Sequence, residues 1–423
     1  MMNEITDKTT DYPRVLIVNS QSILAKNATG ITLRSLWRSW PSERVMELYC
    51  DSNYEKVYEF DLVSFQMGLR NIPLRTIMIS SAGHSINKSL KENSAGNTSN
   101  SVSWKGRIRK VAVCISDVSV VHIDSKLLNI IRRFDPQIIY TLGGNVLSLK
   151  TSYILSKKLG KPIVLHYMDN WIENFQWEDD RLLRFYRRAL DKWHRKCLEN
   201  SNIGITISQL MADEYTRRFH IPHVPLMNSV AIDSFVCDEN KRNDPPIFVY
   251  AGGLHLNRWR NLHEIAQVIG DRGRFIIYTG NQDRGLYETE FADLNVEFRD
   301  YVPHDRIHEV YEKADILVHT EVENPTGNRF FKYSISTKIP EYLATGKNIL
   351  FYGPKDIGLY QYLQTNNVAF CAGNISELSD AVNIILENGC DEEMRSRALA
   401  LVQRNHEVSN SQMLLRKTLA EGK

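Results

Sequence analysis

Residues 336–354 read STKIPEYLATGKNILFYGP, and this stretch decides the fold. Ser336, Thr337 and Lys338 lead into a short helix, and Gly346 falls where that helix must end, because glycine takes the left-handed conformation a C-cap needs. Residues 348–352 then form a short apolar run closed by Gly353 and Pro354, the pattern of a buried parallel strand. A helix feeding directly into a buried strand implies an α/β architecture. Lys338 and Glu341 lie about one helical turn apart and share a face. A lysine there can meet a diphosphate, and a carboxylate can accept hydrogen bonds from two ribose hydroxyls. The same spacing serves a solvated i,i+3 pair, and the residues alone leave both readings open.

Upstream, residues 247–253 (IFVYAGG) repeat a theme set at the start of the chain, where residues 14–19 (RVLIVN) form an apolar strand followed by a loop to Gly30. Two similar halves are therefore expected. Their hinge is placed at 239–246, a polar segment ending in Pro245 and Pro246, between domains at 1–238 and 247–400. The residues 401–423 form a C-terminal helix that can return to the first domain.

In the first half, a helix opens at Gly30, where backbone N–H groups can face an anion, although a plain tight turn explains the glycine equally well. Residues 44–50 and 76–80 read as strands. Residues 81–105, rich in Ser, Asn and Gly, read as a mobile loop. Lys105 to Lys110 with Trp104 is a basic-aromatic segment suited to an anionic membrane surface or to a solvated loop. Residues 130–140 read as helix end, turn and strand. Gly143 and Gly144 follow at the strand's carboxyl edge, where ligands sit in open α/β sheets. The next helix ends near Gly160, and 161–166 is a strand. His166, Asp169 and Trp171 then fall on the loop leaving it, where His166 can bond a sugar hydroxyl and Asp169 can act as a base. Residues 179–199 form an amphipathic helix with Arg181, Arg184, Arg188, Lys192 and Arg195 in one stripe. Leu182, Leu183, Tyr186, Leu190 and Trp193 oppose them on a core-facing side. The basic stripe is either solvated or set against anionic lipid. Residues 203–208 form the last strand of this half, with Ser208 capping the helix after it.

In the second half, Arg258 and Arg260 precede a helix directly after Gly252 and Gly253. Guanidinium groups at a helix N-terminus suit a diphosphate. Surface arginines in a loop are the alternative. Residues 274–280 and 314–320 are strands alternating with helices, so the sheet is parallel. Residues 321–335 form a long loop, in which Asn324 to Gly327 can wrap a sugar.

A net charge of +2 argues against bulk nucleic-acid binding. The six cysteines are scattered, without the spacing of a zinc site or a disulfide framework. No apolar run approaches the ~20 residues of a membrane helix, and residues 1–12 do not read as a signal peptide. A cytoplasmic protein, possible at the inner membrane face through surface contact, is expected.

The segment KIPEYLATGKNIL resembles the donor-site segment of the GT-B glycosyltransferases, in particular the family-4-like retaining group, and GGLHLNRWRNL resembles that family's phosphate loop. The resemblance follows the order of elements through most of the chain, with specific motifs at 250–262 and 336–354. It implies two Rossmann-like parallel-sheet domains facing an interdomain crevice. It implies transfer of a hexose-type sugar from a nucleotide diphosphate, a UDP- or GDP-sugar as substrate, to a glycan or lipid-linked acceptor in cell-surface polysaccharide synthesis. No cofactor or metal is implied, since no D-x-D motif is present. By the resemblance, Gly30 (with Asn27 and Thr29), Gly253, Arg258, Arg260 and Lys338 hold the donor phosphates. Glu341 binds the ribose, Gly280, Tyr301 and Val302 hold the base, and His166 supports the sugar. The family's earlier glutamate falls at Tyr333, which puts the sugar and the retaining outcome in question. Two rival readings are a non-catalytic nucleotide-sugar or glycan-binding partner subunit and a nucleotide-sugar epimerase on the same fold.

Overall fold

The computed structural model describes residues 12–51, 55–57, 61–82, 104–176, 181–235, 243–322, 332–389 and 391–423. The chain divides into two compact units, one running to Met227 and resuming at Ser411–Lys423, the other spanning Asn228–Asn410. Half of the hinge segment expected at 239–246, residues 239–242, lies outside the described residues.

The first unit is built on seven strands: β1 (Val15–Asn19), β2 (Val45–Tyr49), β3 (Val63–Gln66), β4 (Ile138–Thr141), β5 (Ile163–Tyr167), β6 (Gly204–Thr206) and β7 (His223–Pro225). They lie in the order β3-β2-β1-β4-β5-β6-β7, and every pairing is parallel. β1, β2, β4 and β5 are buried along their whole length, as helices covering both faces of a parallel sheet require. One core joins Val15, Ile17, Trp37, Tyr140, Val164 and Ile205 to Leu415 and Leu419 of the last helix, Val408–Glu421. Gly160, at φ +64°, caps the helix Val146–Leu159, and the Ser208 side chain accepts from Met211 N–H at the start of the helix Gln209–Phe219.

Two segment assignments in this unit are corrected. Residues 76–80 lie within a helix, Pro73–Ala82, which starts with proline at its first position, where the missing N–H costs nothing. The basic segment at 104–110 begins another helix, Trp104–Val118, while 83–103 lie outside the described residues. Both helices are held by a buried ionic knot. Arg75 Nη1 donates to Asp117 Oδ1 at 3.0 Å, and its Nη2 donates to both Asp51 oxygens at 3.0 and 3.1 Å. Tyr186 Oη donates to Asp117 Oδ2 at 3.0 Å from the helix Arg184–Leu198. The basic stripe Arg181, Arg184, Arg188, Lys192 and Arg195 is exposed, and Leu183, Tyr186 and Leu190 are buried. Leu182, expected on the core side, is 55% exposed, because it sits in the 3-10 turn before that helix.

The second unit has six strands: β8 (Ile247–Ala251), β9 (Arg274–Thr279), β10 (Val296–Asp300), β11 (Ile316–Thr320), β12 (Asn348–Tyr352) and β13 (Phe370–Ala372). They run in the order β10-β9-β8-β11-β12-β13, again all parallel. The chain's direction of progress across the sheet reverses between β8 and β11, the point at which open α/β sheets bind ligands at their carboxyl ends. The helix Lys338–Thr345 ends at Gly346, φ +66°, and β12 follows as expected.

Candidate functional site

At the carboxyl ends of β8 and β11 three charged side chains converge with a glycine. A methyl group on Gly252 would lie 2.0 Å from Lys338 Nζ, so only a residue without a side chain lets the lysine reach across the turn. The Lys338 ammonium sits 5.0 Å from the Tyr250 ring centroid, within cation–π range. Among the described residues it makes no hydrogen bond or ion pair. Desolvation lowers its pKa to about 8, and the Arg258 cation adds to this, against Glu321 and Glu341. An unpaired, half-buried cation at a switch point is a prepared anion site.

Arg258 opens the helix Arg258–Ile269. Its Nε donates to Glu321 Oε2 at 3.0 Å, and its Nη2 to Oε1 and Oε2 at 3.0 and 2.9 Å. Burial raises the Glu321 pKa, but Arg258 and then His319 outweigh it and leave the carboxyl below its usual range. Asn261 Nδ2 ties the same helix to the end of β11, donating to Thr320 Oγ1 and Glu321 O at 2.9 Å each. His319, 3% exposed, lies with Nε2 3.4 Å from Glu321 Oε1, without the alignment of a hydrogen bond. Glu321 was not singled out from the sequence; a carboxylate directly after a buried strand, at its carboxyl edge, is the signal that could have found it.

Lys338 and Glu341 do not form the solvated pair their spacing permits. Glu341 is 8% exposed; its Oε2 accepts from Tyr311 Oη at 2.9 Å, and His304 Nε2 lies 2.7 Å from its Oε1. The other expected donor-side residues divide. Arg260 is exposed, its guanidinium 5.4 Å from the Trp259 ring centroid, and does not join the cluster. Space beside Gly253 is filled by the His255 ring, 2.4 Å from where a Cβ would stand, so this glycine serves packing. Gly280, at the end of β9, has open space beside it; Tyr301, just past β10, is 65% exposed, and Val302 is half-buried. Tyr333, in the place of the family's earlier glutamate, is 3% exposed. Asn324 to Gly327 lie outside the described residues.

In the first unit, Gly30 is the third residue of the helix Ala28–Trp37, and its N–H is taken by the cap, Asn27 Oδ1, at 2.8 Å. A Cβ there would lie 1.9 Å from Ala25 O, so the glycine answers to the chain's own loop and its N–H does not face an anion. Thr29 is exposed. Glu47, wholly buried on β2, shapes that loop by accepting from Ser22 Oγ and Ile23 N–H at 2.6 Å each.

His166 is not on a loop. It lies within β5, 1% exposed, with Nδ1 2.6 Å from Tyr140 Oη. Desolvation drives its pKa to about 3, so the ring is neutral at physiological pH and is a poor proton acceptor. Its Nε2 has no hydrogen-bond partner among the described residues. The strand runs one residue beyond the expected end, which turns His166 inward. Asp169 is exposed on the loop beyond β5, its Oδ1 accepting from Asn170 N–H at 2.7 Å, and Trp171 begins the helix Trp171–Gln176.

Among the described residues no group of three His, Cys, Asp or Glu side chains is placed to hold a metal ion, and no helix is long and apolar enough to cross a membrane.

No family model and no curated protein matches the chain by sequence. Solved structures do match it. HepE from Anabaena in complex with UDP aligns at TM-score 0.61 and 13% identity over 96% of this chain and 99% of its own. The same protein with UDP-glucose aligns at 0.59 and 13%, again over 96% and 99%. Sucrose-phosphate synthase from Thermosynechococcus elongatus aligns at 0.59 and 13% over 96% and 98%. The two parallel-sheet units and this likeness show that the chain has the GT-B fold.

Proposed function

We propose that the protein is a glycosyltransferase that moves a sugar from a nucleotide-diphosphate donor to a glycan or lipid-linked acceptor in cell-surface polysaccharide synthesis. The observation that carries the reading is the Lys338 ammonium at the Gly252 turn, without a hydrogen bond or ion pair among the described residues, with Arg258 beside it at the sheet's switch point. UDP and UDP-glucose in the HepE structures favour a uridine donor.

In this reading Lys338 and Arg258 stabilise the charge that grows on the leaving diphosphate, as preorganised cations do. Glu341 orients the donor through the ribose hydroxyls. Gly280, Tyr301 and Val302 line the carboxyl ends of β9 and β10, the same edge of the sheet, and take the base. In the first unit Asp169, exposed on the loop beyond β5, is the carboxylate assigned to receive a proton from an acceptor. His166, neutral and buried within β5, takes no part in proton transfer. A retaining, metal-independent reaction rests on the family resemblance. Contact with anionic lipid at the inner membrane face is supported by the exposed basic stripe of residues 181–195.

The experiment is thermal shift against UDP-, GDP-, ADP- and dTDP-sugars and the bare nucleotides, followed by release of nucleotide in the presence of acceptor extracts. A ligand that binds only the folded state raises the melting temperature. The expected result is a rise with one base, lost in Lys338→Ala and Glu341→Ala. No rise with any nucleotide at millimolar concentration overturns the reading. Binding without acceptor-dependent nucleotide release makes the chain a binding subunit.

A further inference from the structure

The carboxylate of Glu341 is held from two directions. Tyr311, 1% exposed on the helix His308–Glu312, donates its hydroxyl to Oε2 at 2.9 Å. His304, in the turn His304–Arg306, sets Nε2 2.7 Å from Oε1. Because a carboxylate only accepts, the imidazole must present N–H at Nε2. Two oxygens offer about four lone-pair sites in all, so one donor on each leaves one acceptor site on each. That is the requirement of a vicinal diol, whose two hydroxyls donate to the two oxygens of one carboxylate. Tyr311 is packed edge-on against Tyr342, with centroids 5.1 Å apart, so its hydroxyl is a fixed point. His304 is different, with 56% of its side chain exposed, and its own surroundings do little to hold it in place; the carboxylate does.

We infer that His304 and Tyr311 are positioning residues for nucleotide recognition: each occupies one lone pair of Glu341 and turns the remaining two toward the ribose 2′- and 3′-hydroxyls of the donor. The inference rests on the reading of Glu341 as the ribose ligand. It makes ribose selectivity a property of three residues on separate elements, two of which lie outside the helix that carries the carboxylate. A site built to pair a hydroxyl discriminates strongly against the analogue lacking it, because the buried acceptor is then left unmatched. A carboxylate free to rotate would re-aim and lose that discrimination.

The test measures dissociation constants of UDP and 2′-deoxy-UDP, or of the corresponding pair for whichever base gives the largest thermal shift. It compares the full-length wild type with His304→Ala, His304→Gln, Tyr311→Phe and Glu341→Gln, with the melting temperature recorded for each. The wild type is expected to prefer the ribonucleotide by about tenfold or more, the equivalent of one hydrogen bond to a charged group. His304→Ala and Tyr311→Phe should each bring the ratio to within about threefold of unity, and His304→Gln, which keeps a donor, should restore most of it. A merely structural role would weaken both nucleotides alike and leave the ratio unchanged. A wild-type ratio retained in His304→Ala and Tyr311→Phe but lost in Glu341→Gln overturns the positioning role and keeps the ribose assignment. A ratio unaffected by Glu341→Gln overturns both.

Discussion

Arg258 and Glu321 are joined side-on, with Nε and Nη2 of the guanidinium both reaching the carboxylate at 2.9–3.0 Å while 15% and 6% of the two side chains are exposed. A cation proposed to meet a diphosphate is therefore already neutralised by the protein. Removing one member of a buried pair strands the other, at a cost of about 3–5 kcal/mol. Arg258→Ala should lower stability by that order and abolish nucleotide binding. Glu321→Gln should lose less, since the amide oxygen still accepts from Arg258, and the loss should shrink when a nucleoside diphosphate is added, because phosphate oxygen replaces the missing carboxylate. Melting temperatures of Glu321→Gln with and without saturating UDP check this. A deficit unchanged by nucleotide would show that Arg258 does not reach the ligand.

Lys338 gives a pH dependence of definite sign. Its pKa in the fold is about 8, against ~10.4 for an unfolded lysine. Between these values the unfolded chain holds a proton that the folded chain has released, so this residue makes stability rise with pH across that window. Below it, burying the charge costs on the order of 3 kcal/mol. Lys338→Met should accordingly melt higher than the wild type at pH 7, with the difference fading toward pH 10. Nucleotide affinity should run the other way, falling in the wild type as pH passes 8, and staying level in any Lys338→Arg variant that still binds. Calorimetric titrations at pH 7 and 9 distinguish these outcomes, and a wild-type affinity that is flat over that range would remove Lys338 from the phosphate site.

The ionic knot of the first unit predicts an opposite slope. Burial raises the Asp117 pKa to about 6 against the attraction of Arg75, while an unfolded aspartate titrates near ~3.9. Between those values the folded chain keeps a proton that the unfolded chain has lost, so this group makes stability fall as pH rises from about 4 to 6. Asp117→Asn, which keeps the shape and stays neutral, should flatten that part of the urea-unfolding profile. An identical slope in wild type and variant would place the titration elsewhere.

What was legible in the sequence was local. Gly346, Gly160 and Ser208 mark element ends through their own backbone chemistry, and the runs at 247–251 and 348–352 are apolar enough to be strands without further information. Residues 76–80, Thr-Ile-Met-Ile-Ser, have the same β-branched look but are helical, because Pro73 starts a helix that Arg75 pins to Asp51 and Asp117. Trp104–Val118 was hidden by Gly106 and by its cations, and Asp117 draws it into place from a separation of 42 residues. The candidate site divides in the same way. Lys338, Glu341 and Arg258 stand in recognisable motifs, whereas Glu321 pairs across 63 residues, and His304 and Tyr311 across 37 and 30. Such partners acquire a role only when parallel strands bring their loops to one edge. His166 shows the reverse error: one extra residue of strand changes a loop histidine into a buried neutral one.

The stripe Arg181, Arg184, Arg188, Lys192 and Arg195 is exposed along its length, with Leu182 and Phe185 beside it at 55% and 38% exposure. Asp191 balances part of it, pairing with Arg195 at 3.0 Å. Next to it, Lys192 and Lys196 lie 5.5 and 5.1 Å from the ring centroid of Trp193. Cations interleaved with exposed apolar side chains suit an anionic bilayer surface, where each basic residue contributes about 1 kcal/mol. Reversing three of them, with Arg184→Glu, Arg188→Glu and Lys192→Glu together, should therefore cost at least ~3 kcal/mol, a loss of roughly 100-fold in partitioning. Co-sedimentation with vesicles containing anionic phospholipid should fall accordingly. Vesicles of zwitterionic lipid should retain little of either protein, and added salt should weaken wild-type binding as exposed charges are screened. The nucleotide-induced thermal shift should be unchanged in the triple variant, since none of the three residues belongs to the second unit. Equal sedimentation of wild type and variant would assign the stripe to solvent and leave the acceptor's membrane context without support from this surface.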